Sequence, residues 1–169
     1  MNAKKPIICD TKKEKKMLVL KTLKERRALI NPQTQAEFEQ LFLLRWEILR
    51  KPWGLLPGTE QDNQETSSVH RAVFDFEKDK FLACGRIQES GENSAQVRYM
   101  AVGLDFQGEG FGLEVLRSLE QVALKANWKY IFLNARENAL GFYEKCGYHV
   151  EGDAESFLGI RHFRMSRNL

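Results

Sequence analysis

The sequence predicts a mixed α/β (α+β) fold, with a mostly antiparallel central sheet flanked by helices on both faces. Three observations lead to this prediction. Apolar runs of strand length follow one another through the middle of the chain, separated by short polar turns. One of these runs, residues 97–102, passes through a glycine-rich segment into residues with a helical period. A second strand-to-helix pair follows at 128–148.

Composition indicates one soluble domain. The 169 residues, with 43% apolar and 29% charged side chains, suit a single core with a charged surface. A net charge of +3 is too small to indicate a nucleic-acid partner, and no apolar run approaches a membrane span or a signal peptide. Three widely separated cysteines suit neither a disulfide framework nor a metal cluster. We therefore predict a cytoplasmic protein without metal, nucleic-acid or membrane partners, and a homodimer is left open.

The chain is divided near residue 25. Residues 1–25 begin with six lysines between positions 4 and 16, and we expect a basic N-terminal arm or an extra element there. Residues 26–169 form the predicted single domain. It starts with a strand at 27–30, followed by a helix with Thr34 as its N-cap and Glu37 completing a capping box. That helix should end before Pro52.

The strands come next. Runs 69–76 and 80–87 flank a three-residue turn and should pair as a hairpin, and 95–102 follows as a third antiparallel strand. Residues 128–134 are predicted as a short buried strand and 135–148 as a helix closed by Gly147. The predicted final strands are 148–151 and 157–167.

The sheet and helices meet at a glycine loop. Gly108, Gly110 and Gly112 lie between strand 97–102 and a one-sided helix, whose first turn has unpaired N–H groups. A phosphate or pyrophosphate fits such a site. No Lys-Ser or Lys-Thr follows the glycines, and Leu113 stands where a dinucleotide fingerprint needs glycine, so neither nucleotide fold is supported.

Two motifs resemble those of the GNAT superfamily of N-acyltransferases. The loop Gln107-Gly108-Glu109-Gly110-Phe111-Gly112 is similar to its acetyl-coenzyme A signature. About thirty residues later, the segment 139–148, with an Ala, a Phe-Tyr pair, a Lys and Gly-Tyr, is similar to its closing motif. One departure is Arg136, where the superfamily usually has Asn. A GNAT-like fold, and acetyl-coenzyme A as cosubstrate, are what the resemblance implies.

The resemblance also implies the cofactor contacts. Backbone groups of the central strand hold the acyl and pantetheine parts, and the loop and the second motif hold the remainder. The implied cofactor-binding residues are Met100, Ala101, Val102, Gln107, Gly108, Glu109, Gly110, Phe111, Gly112, Asn134, Arg136, Asn138, Phe142 and Tyr143.

Acetyl transfer to an amine requires an acid for the leaving thiolate and a base for the amine. Tyr143 is the predicted general acid, since a phenol can protonate a thiolate. Many superfamily members have a base at the position of Gln96, which cannot accept a proton. His162 and Glu47 are the remaining catalytic candidates, with Glu89 or an ordered water as further options.

The acceptor is a small-molecule or peptide amine of unidentified structure. Acidic residues at 59–65 and 151–155 weakly favour a cationic acceptor. Residues 44–54 and 160–165 resemble the acetyltransferase half of proteins that join such a domain to a thioesterase. Two alternatives stay open: a non-catalytic acyl-coenzyme A sensor or interaction module of this fold, and, remotely, an unrelated nucleotide binder.

Overall fold

The computed structural model describes residues 26–157 and 159–169. The predicted basic arm, residues 1–25, lies outside the described residues. No helix in the described part of the chain is long and apolar enough to cross a membrane.

Seven strands form one sheet in the order β1-β2-β3-β4-β5-β7-β6. The strands are β1 Arg27–Ile30, β2 Val69–Asp75, β3 Lys80–Glu89, β4 Ser94–Val102, β5 Tyr130–Arg136, β6 His149–Phe157 and β7 Ile160–Asn168. All neighbouring pairs are antiparallel except β4 and β5, which are parallel. This arrangement confirms the predicted mixed, mostly antiparallel sheet.

Helices cover both faces of the sheet. The helices are α1 Gln35–Leu49, α2 Phe111–Lys125 and α3 Leu140–Lys145, with short 3-10 turns at Lys51–Trp53, Leu104–Phe106 and Glu137–Ala139. Cys84 of β3 packs with α1, whereas a Cβ on the next residue, Gly85, would meet side chains of α2. Because neighbouring strand residues point to opposite faces, α1 and α2 lie on opposite sides of the sheet.

Local signals gave correct element boundaries in the first half of the domain. The capping box is present: Glu37 N donates to Thr34 Oγ1 at 3.2 Å, and Thr34 N donates to the Glu37 carboxylate at 2.9 Å. The β2–β3 hairpin forms as predicted, but its turn has four residues, 76–79, because β2 ends one residue earlier than expected. Gly147 closes α3 with a φ of +90°.

Boundaries of three elements in the second half were wrong. The strand predicted at 128–134 is Tyr130–Arg136, and the helix predicted from residue 135 begins at Leu140 after a 3-10 turn. β7 pairs with β5 as far as Arg136, so ladder hydrogen bonds keep these residues extended. Residues 152–156, between the two predicted final strands, are strand as well, since β6 continues to Phe157 along β7.

Candidate functional site

The two parallel strands part in the middle of the sheet. Pairing of β4 with β5 ends at Val97 and Leu133, although β4 continues to Val102 and β5 to Arg136. In the part of the chain that the structure describes, no strand pairs with the backbone beyond this point on that side. A cavity of about 450 Å³ lies at the gap.

A bulge in β4 coincides with the gap. Tyr99 and Met100 together stand opposite one β3 residue, Gly85, so β4 carries one extra residue there. Tyr99 has a φ of +53°, which is unusual for a residue with a side chain. Bulges bend a strand and redirect its side chains, and this one turns β4 away from β5.

The cavity brings together five of the residues predicted from the sequence. They are Met100, Asn134, Arg136, Tyr143 and His162. Gln96 also lines the cavity. Glu47 does not, because it lines a separate cavity of about 710 Å³ between α1 and the segment Gly103–Phe106.

Tyr143 lies in the cavity wall with little solvent exposure. Its ring packs edge-on against the rings of Phe142 and Tyr148, at centroid distances of 4.9 and 6.0 Å. Burial raises the pKa of the Tyr143 phenol, with a smaller effect from Cys146. The hydroxyl therefore keeps its proton at neutral pH and can act as a donor.

His162 on β7 lines the same cavity. Its Nδ1 lies 2.9 Å from the carbonyl oxygen of Ile160, and since a carbonyl can only accept, Nδ1 carries the proton. In the neutral ring this leaves Nε2 as a free acceptor. The backbone thus selects the tautomer in which Nε2 can take a proton from another group.

The glycine loop has the backbone geometry of an anion cradle. Gly108 and Gly110 have φ values of +80° and +90°, and a Cβ built on either would meet no protein atom within 4 Å. Gly110 is the N-cap of α2, and the first N–H groups of α2 have no intrahelical acceptor. The open side of this loop therefore fits a pyrophosphate.

The loop is also tied to the rest of the domain. Arg27 of β1 lies 3.5 Å from the Glu109 carboxylate and above the Phe111 ring. A Cβ on Gly112 would lie 3.2 Å from Val102, a tight contact, and 3.6 Å from Phe142, an ordinary one, so the missing side chain lets these elements pack closely. The two sequence motifs therefore meet at Gly112 and Phe142.

Sequence reasoning missed a cluster of buried charges beside the bulge. Arg45 of α1 and Arg86 of β3 are both fully buried. Arg45 Nη1 lies 2.9 Å from Glu65, and Arg86 Nη1 lies 2.6 Å from Glu65 and 2.7 Å from Asp62. The guanidinium groups of Arg45 and Arg86 also lie 4.8 Å from the Tyr99 ring centroid. The polar segment 59–68 is thereby anchored to the sheet.

His70 completes this cluster as a neutral residue. Arg45 Nη2 donates to His70 Nδ1 at 3.0 Å, and His70 Nε2 donates to the Glu65 carbonyl at 2.9 Å. Burial lowers the pKa of His70, which agrees with the neutral tautomer. The sequence did contain a signal for this cluster, because Arg45 lies within the apolar face of α1 and Arg86 within the apolar run of β3.

Comparison with known families agrees with this geometry. A sequence model of the acetyltransferase (GNAT) domain matches residues 59–169. The chain belongs to the GNAT acetyltransferase family. The matched GNAT region contains the parted strands, the glycine loop and the helix that carries Tyr143.

Individual GNAT relatives cover most of the chain. The uncharacterized N-acetyltransferase YjcF of Bacillus subtilis (strain 168) is 28% identical over 138 residues, which are 80% of this chain and 96% of YjcF. An acyl-CoA N-acyltransferase from Pseudomonas aeruginosa is 18% identical with a TM-score of 0.70, covering 83% of this chain and 97% of that one.

A further GNAT structure contains a ligand. An aminoglycoside 6'-N-acetyltransferase complexed with coenzyme A is 14% identical with a TM-score of 0.70, covering 83% of this chain and 96% of that one. At such identities the two structural likenesses show the fold alone. Among residues 26–157 and 159–169, no group of three or more His, Cys, Asp or Glu side chains could hold a metal ion.

Proposed function

We propose that this protein transfers an acetyl group from acetyl-coenzyme A to a primary amine, directly and within a ternary complex. The observation that carries the proposal is the cavity at the parted strands, which contains both a buried phenol, Tyr143, and an imidazole with a free acceptor, His162. Acetyl-coenzyme A supplies the activated thioester. The acid, the base and the open strand edge are supplied by this chain.

The cofactor-binding part of the proposal joins the cavity to the glycine loop through β4. Met100 lines the cavity, and Val102 at the end of β4 contacts Gly112 of the loop. We assign cofactor binding to the strand segment Met100, Ala101 and Val102, to the loop residues 107–112, and to Asn134, Asn138, Phe142 and Tyr143; Arg136, which replaces the Asn usual in the superfamily, is left out of this set. The coenzyme A complex of an aminoglycoside acetyltransferase with this fold supports the assignment.

In the proposed reaction His162 Nε2 accepts the proton of the attacking amine and Tyr143 Oη donates a proton to the departing thiolate. Unpaired N–H groups of β4 near the bulge stabilise the negative charge on the acyl oxygen, because fixed backbone dipoles need no reorganisation. Glu47 remains the second candidate for the base, although it lines the other cavity. No residue is acylated in this scheme.

The remaining parts of the proposal concern the chain as a whole. We assign residues 26–169 as the acyltransferase domain and keep the resemblance of 44–54 and 160–165 to the acetyltransferase half of fusion proteins. Cys84 and Cys146 are buried free thiols, which suit a reducing compartment and therefore the cytoplasm. The alternative is a non-catalytic acyl-coenzyme A sensor. Its support is Gln96, which lines the cavity at the position where many superfamily members have a base.

The proposal is tested by calorimetric titration with acetyl-coenzyme A. We expect binding by the wild type and none by Gly110→Trp, whose side chain would fill the cradle. The control is Gly58→Trp, since Gly58 also has a strongly positive φ, +98°, and open space around its missing Cβ. Equal loss of binding in both variants would indicate a folding defect, and no binding by the wild type at millimolar ligand would refute the proposal.

An amine screen then separates enzyme from sensor. Acetyl-coenzyme A is incubated with amino acids, polyamines, aminoglycosides and peptides, and the free thiol is measured. Release of thiol that depends on the amine supports transfer. Binding without release for every amine would favour the sensor.

A further inference from the structure

Two guanidinium groups meet on one carbonyl oxygen at the mouth of the cavity. Arg50 Nη1 donates to the Leu49 carbonyl at 3.1 Å, and Arg136 Nη2 donates to the same oxygen at 2.9 Å. Because both nitrogens bond to the same oxygen, the distance between them cannot exceed 6.0 Å, the sum of the two hydrogen-bond distances. Both arginines line the cavity that contains Tyr143 and His162.

Within residues 26–157 and 159–169, neither Arg50 nor Arg136 forms an ion pair. Among the residues that the structure describes, the neighbouring Arg98 lies 3.1 Å from Asp62, but no carboxylate oxygen lies within 4.0 Å of Arg50 or Arg136. Glu60 acts on Arg50 from a greater distance, and its two oxygens already accept from the Gly58 N–H and the Gln61 amide, each at 2.8 Å.

The charged forms of Arg50 and Arg136 are both disfavoured where they lie. Burial is the main cause that lowers the pKa of Arg50 and of Arg136, and the charge of Arg50 lowers the pKa of Arg136 further. Leu49 is the last residue of α1, so its carbonyl is a natural acceptor for a cation. That carbonyl has two lone pairs and can accept from both arginines, but a second cation there is repelled by the first, and capping needs only one.

Both guanidinium groups keep donors for a ligand. Arg50 also donates its Nε–H to the Thr59 carbonyl at 2.8 Å and lies 4.8 Å from the Phe157 ring centroid, while Arg136 lies 5.8 Å from that of Trp53. Aromatic contacts engage the faces of a guanidinium and leave its in-plane N–H groups available. The unused groups match the geometry of a carboxylate, which guanidinium binds with two parallel hydrogen bonds.

We infer that Arg50 and Arg136 together bind a carboxylate of a substrate. This inference rests on the proposed function, because it names the chemical class of what enters the same cavity. The carboxylate belongs either to the amine acceptor or to the distal end of a dicarboxylic acyl chain. It does not react: the acyl carbon–sulfur bond breaks, the carbon–nitrogen bond forms, the amine loses a proton and the thiolate gains one.

The first test measures binding alone and does not depend on turnover. The protein, saturated with coenzyme A, is titrated with succinate and separately with succinamide, which has the same shape without charge. The readouts are calorimetry and tryptophan fluorescence, since Trp53 lies against Arg136. We expect succinate to bind at least about tenfold more tightly than succinamide.

Variants locate the effect. Arg50→Gln and Arg136→Gln should each remove the preference for succinate, and Arg136→Lys should restore part of it. The control is Arg161→Gln, which removes an exposed guanidinium paired with exposed Asp153. If the arginines only cap α1, the variants will lose thermal stability while succinate and succinamide bind alike in every protein. That result, or no succinate binding at tens of millimolar, would overturn the inference.

The second test assigns the source of the carboxylate. With acetyl-coenzyme A, 4-aminobutyrate is compared with butylamine; with butylamine as acceptor, succinyl-coenzyme A is compared with butyryl-coenzyme A. A kcat/KM preference that disappears in Arg136→Gln assigns the carboxylate to the acceptor in the first pair and to the acyl chain in the second. If no pair is turned over but succinate still binds through both arginines, the proposed function fails and the carboxylate site stands.

Discussion

Arg86 and Asp62 form a two-pronged ion pair, with Nη1 2.7 Å from Oδ1 and Nη2 2.8 Å from Oδ2. Arg86 is fully buried on β3, and Asp62 belongs to the polar segment 59–68. Two acids of this segment, Asp62 and Glu65, are therefore engaged by the protein's own arginines. The sequence-based preference for a cationic acceptor loses this support, and the cavity is lined by three arginines, Arg50, Arg98 and Arg136, against one carboxylate, Glu155.

Replacing Arg86 should lower the free energy of unfolding of the domain. Arg86→Met leaves Asp62 and Glu65 facing each other without their shared cation, and breaking a buried pair on one side costs about 3–5 kcal/mol. Urea unfolding would measure this loss. The control is Arg161→Met, because exposed ion pairs contribute less than about 1 kcal/mol. Equal midpoints for the two variants would contradict the prediction.

Acid should weaken the same cluster. Burial tends to raise the pKa of Asp62, but hydrogen bonds from Arg86 and the Gln64 N–H, with the charges of Arg86 and Arg98, hold it well below its usual range. A folded-state pKa below the unfolded value, about 3.9, means that the stabilisation is complete only above about pH 5 and is lost progressively as the pH falls from there.

The free energy of unfolding measured from pH 7 down to pH 3 should therefore decline more steeply in the wild type than in Asp62→Asn. The difference between the two proteins isolates Asp62, because other acids such as Asp75 titrate in both. If the free energies of unfolding of the two proteins fall in parallel with pH, Asp62 does not contribute to the acid sensitivity.

Two glycine-to-alanine substitutions should change the stability of the domain in opposite directions. A Cβ on Gly85 would overlap Met100 Sδ and lie 3.0 Å from both Leu119 and Val115, so Gly85→Ala forces α2 away from the sheet and should cost about 1–3 kcal/mol. A Cβ on Gly141, in α3, meets nothing within 4 Å, and Gly141→Ala should stabilise by about 0.5–1 kcal/mol. Thermal unfolding of both variants checks the packing, and a stabilising Gly85→Ala would disprove it.

Tyr143→Phe should lower kcat by about 10²–10⁴-fold and leave acetyl-coenzyme A affinity nearly unchanged, since only the proton donor is removed. Burial raises the pKa of Tyr143, so wild-type kcat should not fall between about pH 8 and 10 through ionisation of this residue. Stopped-assay rates with saturating cosubstrate measure both effects. Full activity in Tyr143→Phe would remove the phenol from the mechanism.

His162→Asn and Glu47→Gln should distinguish the two candidate bases, because they line different cavities. We expect a loss of about 10²-fold in kcat at neutral pH for His162→Asn, and a smaller loss at high pH, where the amine is already deprotonated. The pH–rate profiles of both variants measure this. A loss confined to Glu47→Gln would transfer the role to α1.

Local signals in the sequence determined much of this protein. The capping box of Thr34 and Glu37, the short β2–β3 hairpin turn and the positive φ at Gly147 all depend on hydrogen bonds or backbone angles within a few residues. The glycine loop was identified for the same reason, because its chemistry is that of a backbone turn entering a helix.

The tertiary structure alone decided the chemistry around the cavity. Arg136 and Leu49 are 87 residues apart in the chain, and Arg86 and Asp62 are 24 apart, so no local pattern pairs them. The end of β5 was likewise decided by its partner β7 rather than by its own residues. Buried charges take the partner that the fold brings within hydrogen-bond distance, and this is why the loop acids became structural while Arg50 and Arg136 were left facing the cavity.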